Sequence, residues 1–414
     1  MVFAETICKK VPLKYQPNDS LYVYMEEGYW QPIHGDYIEQ DAMRMLGIAE
    51  ANPSRCTQIR LMVERNCLIE PNRMFNENNG HINLQNGMLN IETRQLTPHD
   101  PDYLSTIQLR VKYDHHSICP RWYQFLNEIF EADQERIDLL QEFMGYSLIP
   151  DTRYEKALLM VGGGANGKST LLRIWEELIG TDNISSVTLG NLHNEFHRVT
   201  LNRKLLNIAA EINPKVVEKS DYFKRIVSGD RIDGAYKRKD PFHFRPFARL
   251  VFAMNEMPRV QDTSHGFYRR LLMVPFNRVF DGKEADRELA EKLLTELNGI
   301  FSWCLKGLDR LLDCDSFTEP AAATEMLSRY RRANNPVRAF VEDCCSLEPE
   351  ATSSKDTLYS KYKKYCDDNG YSPLSKDNLF KELYKEYPDL RRTRPRKEEQ
   401  REQHVKGIVV VKRP

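Results

Sequence analysis

The residues best suited to chemistry lie in one run, Gly162-Gly163-Gly164-Ala165-Asn166-Gly167-Lys168-Ser169-Thr170. Gly162, Gly167, Lys168 and Ser169 stand at the spacing G-x-x-x-x-G-K-[ST], the pattern of a loop that cradles phosphates. Such a loop needs glycine because its backbone must turn tightly and bring N–H groups up to phosphate oxygens. The positive end of the following helix adds a favourable partial charge, the lysine meets the β- and γ-phosphates, and the hydroxyl ligates Mg²⁺. The pattern carries meaning only between a strand and a helix. Both are predicted: Ala157-Leu158-Leu159-Met160-Val161 is a buried-strand run, and Leu171-Leu172-Arg173-Ile174-Trp175 opens a helix. The expected ligand is ATP with Mg²⁺, held by the residues from Gly162 to Thr170.

Three further apolar runs border polar residues. Leu205 to Ala210 ends at Glu211, Leu250 to Met254 ends at Asn255, and Leu271 to Phe276 follows Arg269-Arg270. Strands alternating with helices predict a parallel sheet, whose ligands gather at the carboxyl ends of the strands. Glu211 is expected to polarise the attacking water or, with Ser169, to hold Mg²⁺; Asn255 is expected to orient that water. Arg269 and Arg270 are expected to reach nucleotide bound by a neighbouring subunit of a head-to-tail ring, Arg270 being favoured as the finger. Between Glu211 and Asn255, two short strand signals flank Tyr236-Lys237-Arg238-Lys239. A cationic tip with an aromatic neighbour suits a single strand of nucleic acid, although spacing alone fits a solvated tip equally well.

These elements need a scaffold. A chain of 414 residues exceeds one core and predicts two to four domains. Residues 1–150 mix hairpin signals, one turning at Gly28 and one at Asn86-Gly87, with helices from Pro120 and from Gln134. No cluster there has catalytic spacing, and Asp114, His115 and His116 form a polar loop lacking a third placed ligand. Residues 151–335 hold the chemistry, closing with helices that pack beneath the sheet. Residues 336–414 read as three helices, the third capped by Ser375, then a basic segment with Arg391, Arg392 and Arg394, then a strand from Gly407. Three helices followed by a basic hairpin resemble a winged helix, which reads duplex DNA.

Composition excludes several classes. Apolar residues are 41% and charged residues 29%, as in a globular protein, and the net charge of −1 confines any nucleic-acid contact to local basic patches. Nine cysteines without a C-x-x-C pair point to reduced thiols rather than a disulfide framework or a zinc site. No apolar run reaches membrane-spanning length, and Met1-Val2-Phe3-Ala4-Glu5 does not begin a signal peptide. A cytoplasmic protein with no membrane partner is expected.

Taken in order, the motifs resemble those of the D5/P4-type primase-helicases of phages, plasmids and large DNA viruses, members of helicase superfamily 3. Asn86-Gly87-Met88-Leu89 and Gln141 to Tyr146 are similar to the N-terminal D5 domain. The glycine run is similar to motif A, and Leu205 to Glu211 to motif B. Lys224 with Ser228-Gly229-Asp230 and Tyr236-Lys237 is similar to motif B′. Ala253 to Pro258 resembles motif C, and Gly266 to Leu271 the arginine-finger stretch. The resemblance implies an α/β P-loop (AAA+-like) core with a parallel sheet, preceded by an α+β/helical D5-type domain and followed by a winged-helix-like domain. It further implies a hexameric ATPase ring that moves 3′→5′ on single-stranded and forked DNA, with Lys237, and beside it Tyr236, Arg238 and Lys239, gripping the strand. Two features depart from the family. Ala210 precedes Glu211 where many members carry two carboxylates, and no primase carboxylate set is present, so either the protein works alone or the chain is the helicase part of something longer. An ATP-switched initiator or loader is the alternative, favoured less because a loader has no need of a hairpin in a channel. A small-molecule kinase fits poorly with Arg269-Arg270 and the C-terminal segment.

Overall fold

In the computed structural model the described residues are 2–17, 20–47, 52–77, 80–210, 219–260, 262–280, 286–371, 373–393 and 403–411. Glu211 and Arg394, two of the residues expected to act, lie outside them. The chain divides into two compact units, Met1–Pro258 with Arg269–Thr324, and Arg259–Tyr268 with Glu325–Pro414.

The first unit is organised by a five-stranded sheet: β1 (Ala157–Val161), β2 (Ile184–Ser185), β3 (Leu206–Ala210), β4 (Arg249–Met254) and β5 (Leu271–Pro275). The spatial order is β5-β1-β4-β3-β2, and every pairing is parallel. Strands covered on both faces need apolar side chains at every position rather than at alternate ones, which is why these runs are continuously hydrophobic. Leu158, Met160, Ile208, Val251 and Val274 are all buried. The register sets Val161 opposite Met254 and Ala210 opposite Ala253. The carboxyl ends of β1, β3 and β4 are therefore level at one edge.

The glycine loop enters helix α1 (Lys168–Ile179), which buries Leu171, Leu172, Ile174, Trp175, Leu178 and Ile179 and stops at Gly180, whose φ is +84°. Helices Pro120–Phe130, Gln134–Tyr146 and Leu297–Cys314 supply Trp122, Phe125, Phe143 and Trp303 to the same core. That core runs without a break from Ile82 to Ala323, so the boundary expected near residue 150 falls inside it. Its buried carboxylate, Glu142, is satisfied by Arg310 Nε at 2.6 Å and by the backbone N–H and hydroxyl of Thr318, each at 2.7 Å. Residues 2–67 form a smaller core of their own, from three helices against an antiparallel sheet of Leu13–Gln16, Ser20–Tyr24 and Trp30–Ile33.

The hairpin expected at Asn86-Gly87 forms with a different turn. Leu84 pairs with Gly87, so Gln85 and Asn86 are the turn's central residues, and Gly87 begins the return strand at φ +140°.

The second unit follows the order helix Pro336–Cys344, strand Cys345–Ser354, helix Lys355–Asp368, helix Lys376–Glu386, strand Arg391–Thr393, strand His404–Val410. The strands form an antiparallel sheet with His404–Val410 in the middle. Phe340, Leu358, Tyr362, Leu379, Phe380, Leu383 and Val405 make its core, and Ser375 caps its helix by accepting from Asn378 N–H. Segment Arg259–Tyr268 joins this unit: Tyr268 lies 5.9 Å from Tyr330 and Arg331 stands 5.3 Å from the Tyr268 ring centre. Helix Ala321–Asn334 spans the division between the two units at Thr324/Glu325.

Candidate functional site

The glycine loop leaves β1 at the carboxyl edge. Its backbone takes positive φ at Gly164 (+102°), Ala165 (+47°) and Gly167 (+83°). A Cβ on Gly167 would stand 2.6 Å from Ile129 Cγ2, and one on Gly162 would stand 2.5 Å from the Phe276 carbonyl oxygen. Gly163 and Gly164 face open space. The loop is thus clamped on its protein side, where only glycine fits, and clear on the other. The Ala165 carbonyl accepts from Phe280 N–H at 2.7 Å, which ties the loop to the chain beyond β5.

Lys168, the first residue of α1, is buried, and burial lowers its pKa. Its ammonium donates to the Gly162 carbonyl and, at 3.2 Å, to Asn166 Oδ1, with the Phe276 ring centre 5.9 Å away. A cavity of about 340 Å³ opens beside these groups, lined by Gly164 to Thr170 together with Leu172, Ala210, Ala253, Met254 and Asn255. The sheet therefore brings Lys168, Ser169 and Asn255 around one space, and Glu211 follows Ala210 in the chain.

Arg269 and Arg270 are not part of that space. They precede β5, and Arg270 C=O accepts from Ala157 N–H at 2.8 Å, which puts them at the amino edge of the sheet. A five-residue strand, roughly 16 Å long, separates the two edges. Both arginines meet Glu155 Oε2, Arg269 at 2.6 Å and Arg270 at 3.1 Å, and Arg270 also donates to Ser228 Oγ at 2.8 Å.

The basic hairpin forms from Ile232–Gly234 and Phe242–Phe244. Tyr236, Lys237, Arg238 and Lys239 are exposed at its tip, Tyr236 stacking on Phe242 with centroids 5.8 Å apart. Its base is locked by Arg198, which bonds the Asp233 carbonyl at 2.6 Å and the Asp233 carboxylate, while Tyr222 OH donates to Asp233 Oδ1 at 2.7 Å. Burial pushes the Asp233 carboxyl up, but Tyr222, a backbone N–H and Arg198 outweigh it and hold the group below 3.8. In the second unit Arg391 and Arg392 are exposed on their strand, with Arg392 5.2 Å from the Tyr384 ring centre. Among the described residues no group of three or more His, Cys, Asp and Glu side chains could hold a metal ion.

Sequence reasoning passed over Glu155, Arg198, Asp233 and Phe276. Each acts through a partner distant in the chain, and only the motif signal at Arg269-Arg270 pointed toward Glu155.

The fold and site define an α/β protein whose parallel sheet presents a glycine-rich loop and a helix N-terminus at its carboxyl edge. Residues 4–131 match the family described as D5 N terminal like, residues 332–410 the family described as poxvirus D5 protein-like, and residues 160–270 a family of unknown function, DUF5906. Similar proteins include L207/L206 of Acanthamoeba polyphaga mimivirus, 22% identical over 314 residues (66% of this chain, 32% of the relative). Protein 121R of Invertebrate iridescent virus 3 is 26% identical over 246 residues (53% of this chain, 26% of the relative). Both carry provisional helicase names, and the chain spans between about a quarter and a third of the length of these curated relatives. The apo structure of the NrS-1 C-terminal region in its A form matches with a TM-score of 0.59 at 13% identity over 98% of both chains, a likeness of fold. The two D5 matches lie at either end of the chain, which resembles the D5-type viral primase-helicases. Among the described residues no helix is long and apolar enough to cross a membrane.

Proposed function

We propose that this chain is the ATP-driven motor of a DNA helicase, a ring, hexameric by resemblance, that moves 3′→5′ on single-stranded DNA. The observation that carries the reading is the cavity at the carboxyl edge, where Gly164 to Thr170 and Asn255 converge on one space. The open side at Gly163 and Gly164, the N-terminus of α1 and the Lys168 ammonium fit an anionic triphosphate. Ser169 and Glu211 would hold Mg²⁺, which supplies charge neutralisation to the phosphates when bound. Asn255 orients the attacking water. Arg269 and Arg270, at the other edge, serve nucleotide bound by a second copy, in keeping with a head-to-tail ring.

The hairpin tip supports DNA contact by Tyr236, Lys237, Arg238 and Lys239, since base stacking and phosphate neutralisation both tolerate any sequence. The helix–strand–helix–helix–strand–strand order of the second unit supports a winged-helix reading, with Arg391, Arg392 and Arg394 as duplex contacts. The functional segments that go with it are a D5-type adaptor over 1–150, a motor over 151–335 and a DNA-binding module over 336–414, the first two sharing one hydrophobic core. A primase domain or protein is the expected partner at the fork.

The test is ATP-dependent strand displacement on duplexes with a 3′ or a 5′ single-stranded tail, with Lys168→Ala as control. Displacement from the 3′ tail alone, lost in the control, is expected. ATPase activity without displacement would instead favour an initiator or loader switched by ATP.

A further inference from the structure

Arg269 and Arg270 are cations side by side, and adjacent like charges repel unless an anion lies between them. Glu155 is that anion: its Oε2 accepts from Arg269 at 2.6 Å and forms an ion pair with Arg270 at 3.1 Å. Its own backbone is in the left-handed region at φ +49°, unfavourable for a residue with a Cβ. The conformation is imposed by a turn, Glu155 N–H to Thr152 C=O at 3.0 Å, and by Lys156 Nζ donating to Arg269 C=O at 2.8 Å. Residues 152–156 therefore aim one carboxylate at the arginine pair.

The same stretch touches the base of the hairpin. Arg270 donates to Ser228 Oγ, at the end of helix Asp221–Val227 and four residues before Ile232. Next to it, a Cβ on Gly229 would strike Thr152 Oγ1 at 2.4 Å, so the two backbones are in close contact.

We propose that Glu155 is a positioning residue: it aligns Arg269 and Arg270 as one cationic site for the phosphate of a nucleotide held by a second copy of this chain, and Arg270 couples that site through Ser228 to the hairpin. This rests on the reading of the chain as a nucleotide-driven ring. A phosphate reaching the pair exchanges the Glu155 bonds for stronger charge-assisted ones, and the Arg270 group that moves is the one bound to Ser228.

The test measures steady-state ATP hydrolysis by the full chain, with and without an oligothymidylate, for Glu155→Gln, Ser228→Ala and Lys168→Ala, and for mixtures. Glu155→Gln is expected to bind a fluorescent ATP analogue as the unaltered protein does and to keep its KM. Its kcat is expected to fall by up to about a hundredfold, the effect of a misplaced catalytic group. Mixed with Lys168→Ala, which retains the arginine site, it should regain turnover above the sum of the two alone. Ser228→Ala should lose stimulation by the oligonucleotide. Should Glu155→Gln fail to bind the analogue, Glu155→Asp, which keeps the carboxylate, replaces it in the mixture. Turnover by Lys168→Ala would defeat the nucleotide-site reading itself. An inactive Lys168→Ala beside an unchanged kcat in Glu155→Gln, or a mixture without gain, would overturn the positioning role alone.

Discussion

Lys168 and Asn166 share an unequal bond: the ammonium lies 3.2 Å from Asn166 Oδ1, while the buried Nδ2 of the same amide has no hydrogen-bond partner among the described residues. An unmet buried donor costs about 1–3 kcal/mol, and the bond its oxygen makes contributes about 1 kcal/mol. Asn166→Ala should therefore alter the stability of the nucleotide-free protein by no more than about 2 kcal/mol, since the two terms oppose. Chemical denaturation of the two proteins checks this; a loss several times larger would mean that Nδ2 is satisfied.

Lys168→Ala should abolish nucleotide turnover, and its clearest signature is in stability. A ligand at a hundred times its Kd stabilises the folded state by about 2.7 kcal/mol. Melting curves with and without Mg·ATP should separate for the unaltered protein and coincide for Lys168→Ala.

Gly167→Ala combines a forbidden φ with a Cβ 2.6 Å from Ile129 Cγ2. Overpacking of this kind costs about 1–3 kcal/mol, and Ile129 belongs to the helix that supports the loop. A lowered melting temperature together with lost nucleotide binding is expected, whereas Gly163→Ala, which meets nothing within 4 Å, should leave the melting temperature unchanged.

The Arg198–Asp233–Tyr222 lock predicts a pH response. Because the folded-state pKa of Asp233 is depressed, its contribution is complete above the ordinary value of 3.8 and is lost as pH falls through the lower folded value. Asp233→Asn should be less stable than the unaltered protein near neutrality, and the difference should shrink in acid. Urea unfolding at several pH values measures it; a difference that grew in acid would refute the lock.

Replacing Lys237, Arg238 and Lys239 together by alanine should weaken binding to single-stranded DNA of any sequence. If each neutralises one phosphate, the slope of log affinity against log salt should fall by about 2. Fluorescence anisotropy across a salt series gives the slope directly, and an unchanged slope would leave the tip as solvated charge.

Much of the site was legible because a parallel sheet covered on both faces must be apolar without alternation, so β1, β3, β4 and β5 announced themselves as runs. The glycine spacing, Asn255 at a strand end and the hairpin around residues 232–244 followed from local chemistry. Strand β2, two residues long, left no such signal. Glu155 reads locally as a surface acid between Tyr154 and Lys156, and its partners lie 114 and 115 positions away (269 − 155 and 270 − 155). The core that crosses residue 150 was likewise hidden, because a domain boundary depends on which faces pack together rather than on composition.

The membership of Arg259–Tyr268 in the second unit has a consequence for how such a chain can evolve and be dissected. The polypeptide passes between the units three times, at Pro258/Arg259, Tyr268/Arg269 and Thr324/Glu325. A module appended at one end can be gained, lost or exchanged by a single recombination event. This one is stitched in: a cut at residue 324 would strip Tyr268 of Tyr330 and Arg331 while leaving it directly before the arginine pair. A deletion meant to remove only the second unit would therefore also unsettle the segment that leads into Arg269.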